Sequence, residues 1–242
     1  MADADELAQV IAGARALLDW EQEIGGIGFP PVEALPALEA ATPEPEKAPR
    51  TLPVAAAGDR TTLDDLAGKA AACTRCRLHE GRTKSVFARG GASARLAFVG
   101  EGPGYNEDQQ GLPFVGKAGQ LLDKMIKAMG YDPGDVYICN VVKCRPPNNR
   151  TPKPDEAGAC ASFLEGQLDI VKPEVIVALG RCATENLGLV EPGGRGWRGR
   201  WGEWRGIPAM ATYHPAFLLR SPHMKRPVWE DLQKVMARLQ GS

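Results

Sequence analysis

The sequence predicts an α/β protein of three layers, with helices on both faces of a central, mainly parallel sheet of four strands. Four short apolar runs have the length of buried strands, and they comprise Leu96–Gly100, residues 136–142, Val175–Leu179 and residues 209–213. Stretches of helical length separate consecutive runs. Strands that alternate with helices form parallel sheets, because each connection crosses a face of the sheet as a helix.

The clearest helical stretch lies between the first two strands. Residues 116–129 place apolar side chains at helical spacing, and Gly130 follows as a stop signal; these side chains are Leu121, Leu122, Met125, Ile126 and Met129. Residues 154–170 and 181–187 are also predicted to be helical. Each of the three connections between the predicted strands therefore contains a helix.

The N-terminal quarter of the chain differs from the rest in composition. Residues 5–20 repeat apolar side chains at helical spacing, so residues 1–28 are predicted to be an acidic helical segment. Residues 29–61 are rich in Pro and Ala, with seven prolines between positions 30 and 53, and are predicted to be an extended linker. The core domain then spans residues 62–242.

Charge and hydropathy favour some classes of protein and exclude others. Residues 1–70 carry a net charge of −8 and the remainder a net charge of +7, which weakly favours a polyanionic partner for the core. No run of about 18 apolar residues occurs, and the first residues are acidic where a signal peptide is basic. The sequence therefore predicts a cytoplasmic protein with no membrane partner, and we expect it to be a monomer.

Four of the six cysteines are spaced as two pairs of metal ligands. Cys73 and Cys76 form a C-x2-C pair, and fifteen residues separate Cys144 from Cys160. Two such pairs can make an all-sulfur site for zinc or for an iron–sulfur cluster, and the spacing does not separate the two. A redox dithiol at the first pair is a third interpretation. The alternative, that the cysteines are small buried apolar side chains, is favoured for the remaining two, Cys139 and Cys182.

Distinctive motifs follow three of the predicted strands, at the edge where parallel sheets bind ligands. The first strand runs into GEGPG at 100–104, and GLPFVG at 111–116 presents Phe114 between a proline and a glycine. The second strand ends in Asn140, whose amide can read the edge of a base. The fourth is followed by His214 and Pro215. Each of these side chains also has a purely structural interpretation, as a core anchor, a loop tie or a buried histidine.

These motifs together resemble the family 4 uracil-DNA glycosylases, the iron–sulfur members of the uracil-DNA glycosylase superfamily. The resemblance covers GEGPG, GLPFVG, NVVKCRPP at 140–147 and HPA at 214–216 with a following Arg220, in order, within residues 66–239. It implies the uracil-DNA glycosylase fold and a monofunctional repair enzyme. Such an enzyme flips uracil out of double- or single-stranded DNA and hydrolyses its N-glycosidic bond, leaving an abasic site.

The resemblance also implies a role for individual residues. Phe114 corresponds to the aromatic ring that stacks on uracil, Asn140 to the amide that pairs with uracil N3–H and O4, and His214 to the histidine that faces uracil O2. Glu101 and Gly102 correspond to the motif that places water and pyrimidine. The implied ligands of a 4Fe-4S cluster are Cys73, Cys76, Cys144 and Cys160.

The water-positioning group stays open, because Gly102 occupies the place of an aspartate in the best-known branch of the superfamily. Glu101 is preferred, with Glu107 and Asp108 as alternates. Strong activation of the water is not essential, because the sugar cation that forms is a good electrophile.

DNA contacts are predicted for Lys143, Arg150 and Arg220, the last in a loop that resembles the one entering the minor groove. A related branch bonds covalently to DNA through a histidine in a loop that corresponds to residues 146–152, where this chain has none. The alternative is a non-catalytic or covalently trapping iron–sulfur protein of the same superfamily. Residues 197–205 interleave Trp and Arg, which predicts either stacking on nucleic acid or a hairpin packed on the body.

Overall fold

The computed structural model describes residues 60–241. The predicted helix at 5–20 and nearly all of the predicted linker at 29–61 lie outside the described residues. The domain predicted from residue 62 is described, and its first helix begins two residues earlier, as α1 (Arg60–Ala71).

The sheet contains the four predicted strands in parallel and an antiparallel strand at each edge. In chain order its strands are β1 (Ala88–Arg89), β2 (Leu96–Gly100), β3 (Tyr137–Asn140), β4 (Val175–Leu179), β5 (Trp201–Trp204) and β6 (Ile207–Thr212). Their spatial order is β1-β3-β2-β4-β6-β5. The central pairs β3–β2, β2–β4 and β4–β6 are parallel, while β1 and β5 pair antiparallel to β3 and β6. The three-layer α/β prediction is therefore confirmed, with two edge strands added.

Helices connect the strands and cover the sheet. After α1 they are α2 (Leu78–Gly81), α3 (Tyr105–Gln110), α4 (Lys117–Ala128), α5 (Pro154–Val171), α6 (Arg181–Asn186), α7 (Pro215–Arg220) and α8 (Lys225–Gln240), with short 3-10 turns at Pro147–Asn149 and Pro222–Met224. The three predicted helices correspond to α4, α5 and α6. None of the helices within residues 60–241 is long and apolar enough to span a membrane.

The core occupies both faces of the sheet because side chains alternate along each strand. Val99, Cys139 and Ala178 face a cluster that includes Phe163 and Leu168 of α5. The intervening side chains, such as those of Phe98, Ile138 and Val177, are equally inaccessible, and α8 packs against β6. Strands buried on both faces are apolar throughout, which is why the four central strands read as continuous apolar runs.

Candidate active site

A cavity of about 430 Å³ lies at the carboxyl ends of β2, β3 and β6. Parallel sheets bind ligands at this edge, because the loops that follow neighbouring strands converge there. Its lining includes Glu101, Gly102, Glu107, Phe114, Asn140, Arg150, Thr151, His214, Phe217 and Arg220. The structure therefore brings every residue predicted to touch uracil into one cavity.

Asn140 ends β3 with its side chain buried and its carbonyl oxygen unsatisfied. The residue is 2% exposed, and Oδ1 accepts no hydrogen bond from the residues that the structure describes. Gly100, the neighbouring residue on β2, makes room for it, since a Cβ there would lie 2.4 Å from Asn140 Oδ1. A buried acceptor without a donor costs about 1–3 kcal/mol. A ligand that offers an N–H at this point recovers that cost.

Phe114 lies beside Asn140 in a backbone conformation that few residues adopt. Its φ angle is +54°, in the left-handed region that is unfavourable for a bulky side chain. Glu107 fixes this turn, since its Oε1 accepts the backbone N–H groups of Val115 and Gly116 at 2.9 Å each. Gly119 of α4 also permits it, because a Cβ there would lie 1.8 Å from the Phe114 carbonyl oxygen. The aromatic wall of the cavity is therefore held from two sides.

His214 follows β6 and begins α7. Its Nδ1 accepts the backbone N–H of Ala216 at 3.1 Å, so the ring caps the helix. Burial and the nearby positive charge of Arg220 lower the pKa of His214 to about 4, although Glu107 opposes the shift. The ring is therefore neutral near pH 7, and with Nδ1 as acceptor its proton lies on Nε2. The imidazole lies 5.5 Å from the Phe114 ring, at an interplanar angle of 26°.

Glu101 lies directly after β2, between two cavities. It lines the 430 Å³ cavity and also an adjoining one of about 290 Å³, and Thr151 lines both as well. Burial raises the pKa of the Glu101 carboxyl, and a hydrogen bond with the Thr151 side chain partly offsets that rise. Such a carboxylate is placed to accept a hydrogen bond from a water molecule in the cavity.

The two alternates for the water-positioning role, Glu107 and Asp108, both accept hydrogen bonds from backbone N–H groups. Glu107 lines the cavity, but one of its oxygens holds the Phe114 turn. Asp108 is buried outside the cavity lining, where Oδ1 accepts the backbone N–H of Thr83 at 2.9 Å. This geometry favours Glu101 among the three carboxylates.

The predicted DNA contacts divide into two kinds. Arg220 is exposed at the mouth of the cavity. Arg150 also lines the cavity, but its guanidinium donates two hydrogen bonds to the buried carboxylate of Glu156, at 2.7 and 2.6 Å. That pairing lowers the pKa of Glu156 to about 2. The carboxylate of Glu156 therefore fixes the position of the Arg150 guanidinium.

Lys143 corrects the sequence analysis. It was predicted to contact DNA, yet it is 1% exposed and its Nζ donates to the backbone carbonyl of Asn140. Burial lowers the pKa of this amine. The side chain is buried because it lies beside the segments that carry Cys73, Cys76, Cys144 and Cys160. Its contact with the Asn140 carbonyl supports the backbone of that residue.

The four predicted cluster ligands meet in a separate small cavity. Cys73, Cys76, Cys144 and Cys160 all line it, together with Lys143, whose amine donates to the Asn140 carbonyl. Guanidinium groups approach two of the sulfurs: Arg82 Nη1 lies 3.1 Å from Cys144 Sγ, and Arg75 Nε lies 3.4 Å from Cys73 Sγ. Cationic donors of this kind stabilise thiolates. The donor set therefore fits an anionic all-sulfur centre.

Within residues 60–241, no three His, Cys, Asp or Glu side chains are grouped as the ligands of one metal ion. The metal centre, and the choice between zinc and iron–sulfur, accordingly stay predictions. Cys139 and Cys182 are buried apart from the four-cysteine cavity.

The Trp- and Arg-rich stretch at 197–205 forms a hairpin, which is one of the two predicted alternatives. Trp201–Trp204 is strand β5, and Arg205 and Gly206 turn the chain into β6. Trp204 is buried, whereas Trp201 is 37% exposed under the guanidinium of Arg238.

Sequence reasoning missed two residues that shape the site, Thr151 and Glu156, and the role of Glu107 in holding the backbone of the Phe114 turn. All three depend on which loops meet in space. Only Glu156 had a local signal in the sequence, because a Glu at the third position of a helix that begins with proline is typical of a capping residue. In the structure its Oε2 accepts the backbone N–H of Lys153 at 2.8 Å.

Comparisons with known proteins show which proteins the chain is similar to. The family model of the uracil DNA glycosylase superfamily matches residues 87–233. A Type-4 uracil-DNA glycosylase of Thermotoga maritima is 46% identical over 172 residues, which cover 67% of this chain and 86% of the relative. One of Archaeoglobus fulgidus is 41% identical over 184 residues, which cover 72% and 92%. A Type-5 uracil-DNA glycosylase of Thermus thermophilus is 38% identical over a shorter region of 114 residues, 40% of this chain and 51% of the relative.

Proposed function

The chain belongs to the uracil-DNA glycosylase superfamily, and we propose that it is a repair enzyme that excises uracil from DNA. It hydrolyses the N-glycosidic bond between uracil and deoxyribose, and it leaves an abasic site without cutting the backbone. Uracil is stacked inside a duplex, so the enzyme extrudes the nucleotide into the 430 Å³ cavity before the reaction. The observation that carries the proposal is the meeting of Phe114, Asn140 and His214 in that cavity.

Uracil is recognised by its edge and by its face. The ring stacks on Phe114, and the unsatisfied Oδ1 of Asn140 accepts a hydrogen bond from uracil N3–H while the amide NH2 donates to O4. Cytosine presents the opposite pattern, with an acceptor at N3 and an amine at C4, so both contacts would be mismatched. A site built to pair with one pattern rejects the other strongly, because its buried polar groups are left unpaired.

Bond cleavage is promoted by charge stabilisation. As the glycosidic bond breaks, negative charge develops on uracil O2, and the neutral His214 donates a hydrogen bond to it from Nε2. The capping bond on Nδ1 fixes the tautomer, so the donor needs no rearrangement during the reaction. Glu101 orients the water that attacks the sugar cation, and Thr151 holds its carboxylate. Arg220 contacts the DNA backbone at the cavity mouth.

A uracil-release assay on an oligonucleotide with a single uracil tests this function. We expect free uracil and a strand that breaks only after hot alkali, as a monofunctional glycosylase leaves it. The same oligonucleotide with thymine or cytosine at that position is the control and stays intact. Absence of uracil release would contradict the proposal. A protein–DNA adduct that survives denaturation would instead favour the covalently trapping alternative.

Cys73, Cys76, Cys144 and Cys160 would hold a 4Fe-4S cluster. The support is the donor set: four thiols at one small cavity, with guanidinium groups at two sulfurs. Such a cluster, when bound, would supply four metal–thiolate bonds that tie the loop between α1 and α2 and the loop after β3 to α5. It would thereby support the segment that carries Asn140, without entering the reaction.

Purified protein should be brown, with broad absorption at roughly 400 nm. Cys144→Ala should lose this absorption and its iron and become less stable, whereas Cys182→Ala, a buried cysteine outside the four-cysteine cavity, should keep both. Colourless protein with bound zinc would overturn the cluster and leave the glycosylase assignment in place.

We also propose that the enzyme acts as a monomer in the cytoplasm, on the DNA of the nucleoid. A single-chain mass by light scattering during gel filtration, with and without a uracil-containing duplex, checks the first part. A stable dimer would contradict it.

A further inference from the structure

A buried carboxylate on α8 has no part in the mechanism above. Asp231 has a side chain that is 1% exposed, and one of its oxygens, Oδ2, accepts two hydrogen bonds. Thr212 Oγ1 donates one at 2.7 Å, and Arg198 Nη1 donates the other at 3.1 Å. Burying a carboxylate costs several kcal/mol before its partners are counted. A residue of this type is therefore expected to hold its partners in one geometry.

The first partner, Thr212, connects Asp231 to the catalytic histidine. Thr212 is the last residue of β6 and lies two positions before His214. It is fully buried, and its backbone carbonyl accepts the N–H of Gly180 at 2.8 Å, which ties it to the end of β4. The Asp231 contact anchors the other side of the same residue to α8. The end of β6 is thus held by hydrogen bonds to Gly180 and Asp231, two residues before His214.

The second partner connects Asp231 to the Trp- and Arg-rich stretch whose role was open. Gly199 donates its backbone N–H to Ala211 at 2.7 Å, and Ala211 donates to Arg200 at 3.2 Å, so this segment pairs beside the end of β6. Arg198 lies over the Tyr213 ring at 5.5 Å. Trp197 meets that ring edge-on at a centroid distance of 5.5 Å.

We propose that Asp231, through Thr212 and Arg198, is a positioning residue that fixes the ring of His214 for the reaction. The proposal rests on the proposed function, since it assumes that His214 acts on uracil. Misplacing a catalytic group by about 1 Å can cost about 100-fold in rate. Hydrogen bonds behind a catalytic group are a common means of preventing such a displacement.

The hydroxyl of Thr212 allows a conservative test. Thr212→Val keeps the shape and removes the hydrogen bond, whereas Thr212→Ser keeps the bond and removes a methyl group. We expect single-turnover cleavage of a uracil-containing duplex to fall about 10- to 100-fold in Thr212→Val and to stay near wild type in Thr212→Ser. DNA affinity should change little in either variant, because phosphate contacts supply most of it.

Arg198→Gln provides a second route that leaves β6 unaltered, and it should also slow cleavage. Asp169→Asn is the matched control. It removes a surface Arg–Asp pair between α5 and the far end of the same hairpin, where Arg205 lies 2.9 Å from Asp169. The control should cleave at the wild-type rate. Thermal unfolding of every variant shows whether it is folded at the assay temperature.

The ring of His214 gives a readout that loss of stability alone would not move. Its proton resonances, identified by their absence in His214→Ser, should titrate with a midpoint near 4 in the wild type. In Thr212→Val and Arg198→Gln the midpoint should rise, because a displaced ring loses the burial and the nearby charge of Arg220 that lower the pKa of His214. Loss of the opposing charge of Glu107, the smallest of the three effects, offsets only part of that rise.

Wild-type cleavage and an unchanged His214 midpoint in both variants would overturn the proposal, as would equal slowing in Asp169→Asn. A raised midpoint with wild-type cleavage would show that a displaced His214 ring does not slow the reaction. It would overturn both the positioning role of Asp231 and the proposed role of His214 in cleavage. Absence of uracil release by the unmodified protein would be a failure of the proposed function itself.

Discussion

The ring of His214 caps α7 in the structure and donates to uracil O2 in the proposed mechanism, so replacing it in two ways gives a sharp test of that mechanism. His214→Ala removes both the cap on α7 and the donor toward uracil O2. His214→Ser restores a capping side chain, yet it is too short to offer the donor. Loss of one donor to a developing oxyanion costs about 10²–10³ in rate, or roughly 3–4 kcal/mol. Loss of a helix cap costs about 0.5–2 kcal/mol of folding stability.

We therefore expect both variants to slow single-turnover cleavage by about 10²–10³, and only His214→Ala to unfold at a lower temperature. The assay uses enzyme in excess over a uracil-containing duplex, and the binding constant is measured separately by fluorescence anisotropy. Binding should stay nearly intact. His223→Ser is the control, since His223 is exposed in the 3-10 turn after α7 and should cleave normally.

Two results would refute this reasoning. Near-wild-type cleavage in His214→Ser would remove the electrostatic role. A loss of binding as large as the loss of rate would show that the ring maintains the cavity and does not stabilise the transition state selectively.

The depressed pKa of His214 adds a dependence on pH. Its folded-state pKa of about 4 lies below the ordinary value of 6.5, so the unfolded chain takes up a proton first as the pH falls. The stabilising contribution is complete above pH 6.5 and declines as the pH falls toward 4. His214→Ser should lose less stability over that interval, as measured by thermal unfolding at each pH; equal loss would contradict a neutral buried ring.

Other side chains of the cavity give further predictions. Asn140→Asp exchanges a donor for an acceptor facing uracil O4, so uracil excision should fall by about 1–3 kcal/mol, or roughly 5- to 150-fold, in single-turnover assays; an unchanged rate would make Asn140 structural. Glu101→Gln should slow cleavage less than loss of His214, because water attacks a sugar cation that has already formed; a larger loss would indicate full base catalysis. Gly119→Ala should distort the Phe114 turn and weaken both stability and free-uracil binding, while Gly158→Ala, with open space around its Cβ position, should do neither.

The central sheet could be predicted from the sequence because each of its four strands is buried on both faces. Such strands are apolar throughout and stand out from the polar segments between them. The edge strands lack this signal, since β1 has two residues and only the last residue of β5, Trp204, is buried. Their existence depends on pairing with β3 and β6, which local sequence does not encode.

The site was predictable where a motif follows a strand and uncertain where two loops meet. Asn140 and His214 lie at strand ends, so parallel topology alone brings them to one edge of the sheet. Lys143 was predicted to contact DNA, but it is buried, although lysine side chains are almost never fully buried. Its burial results from tertiary contacts with segments distant in the chain, and the same is true of the Asp231 contact with Thr212.

The unpaired oxygen of Asn140 has a consequence for turnover. In the proposed mechanism Phe114 and Asn140 contact only the pyrimidine, so the cavity is complementary also to the base after it leaves the sugar. Free uracil bound there would give Asn140 Oδ1 the hydrogen bond that it lacks within the described residues. The enzyme should therefore be inhibited by its own product, competitively with respect to damaged DNA. Removal of free uracil would then relieve this inhibition and sustain turnover on DNA that contains many uracils.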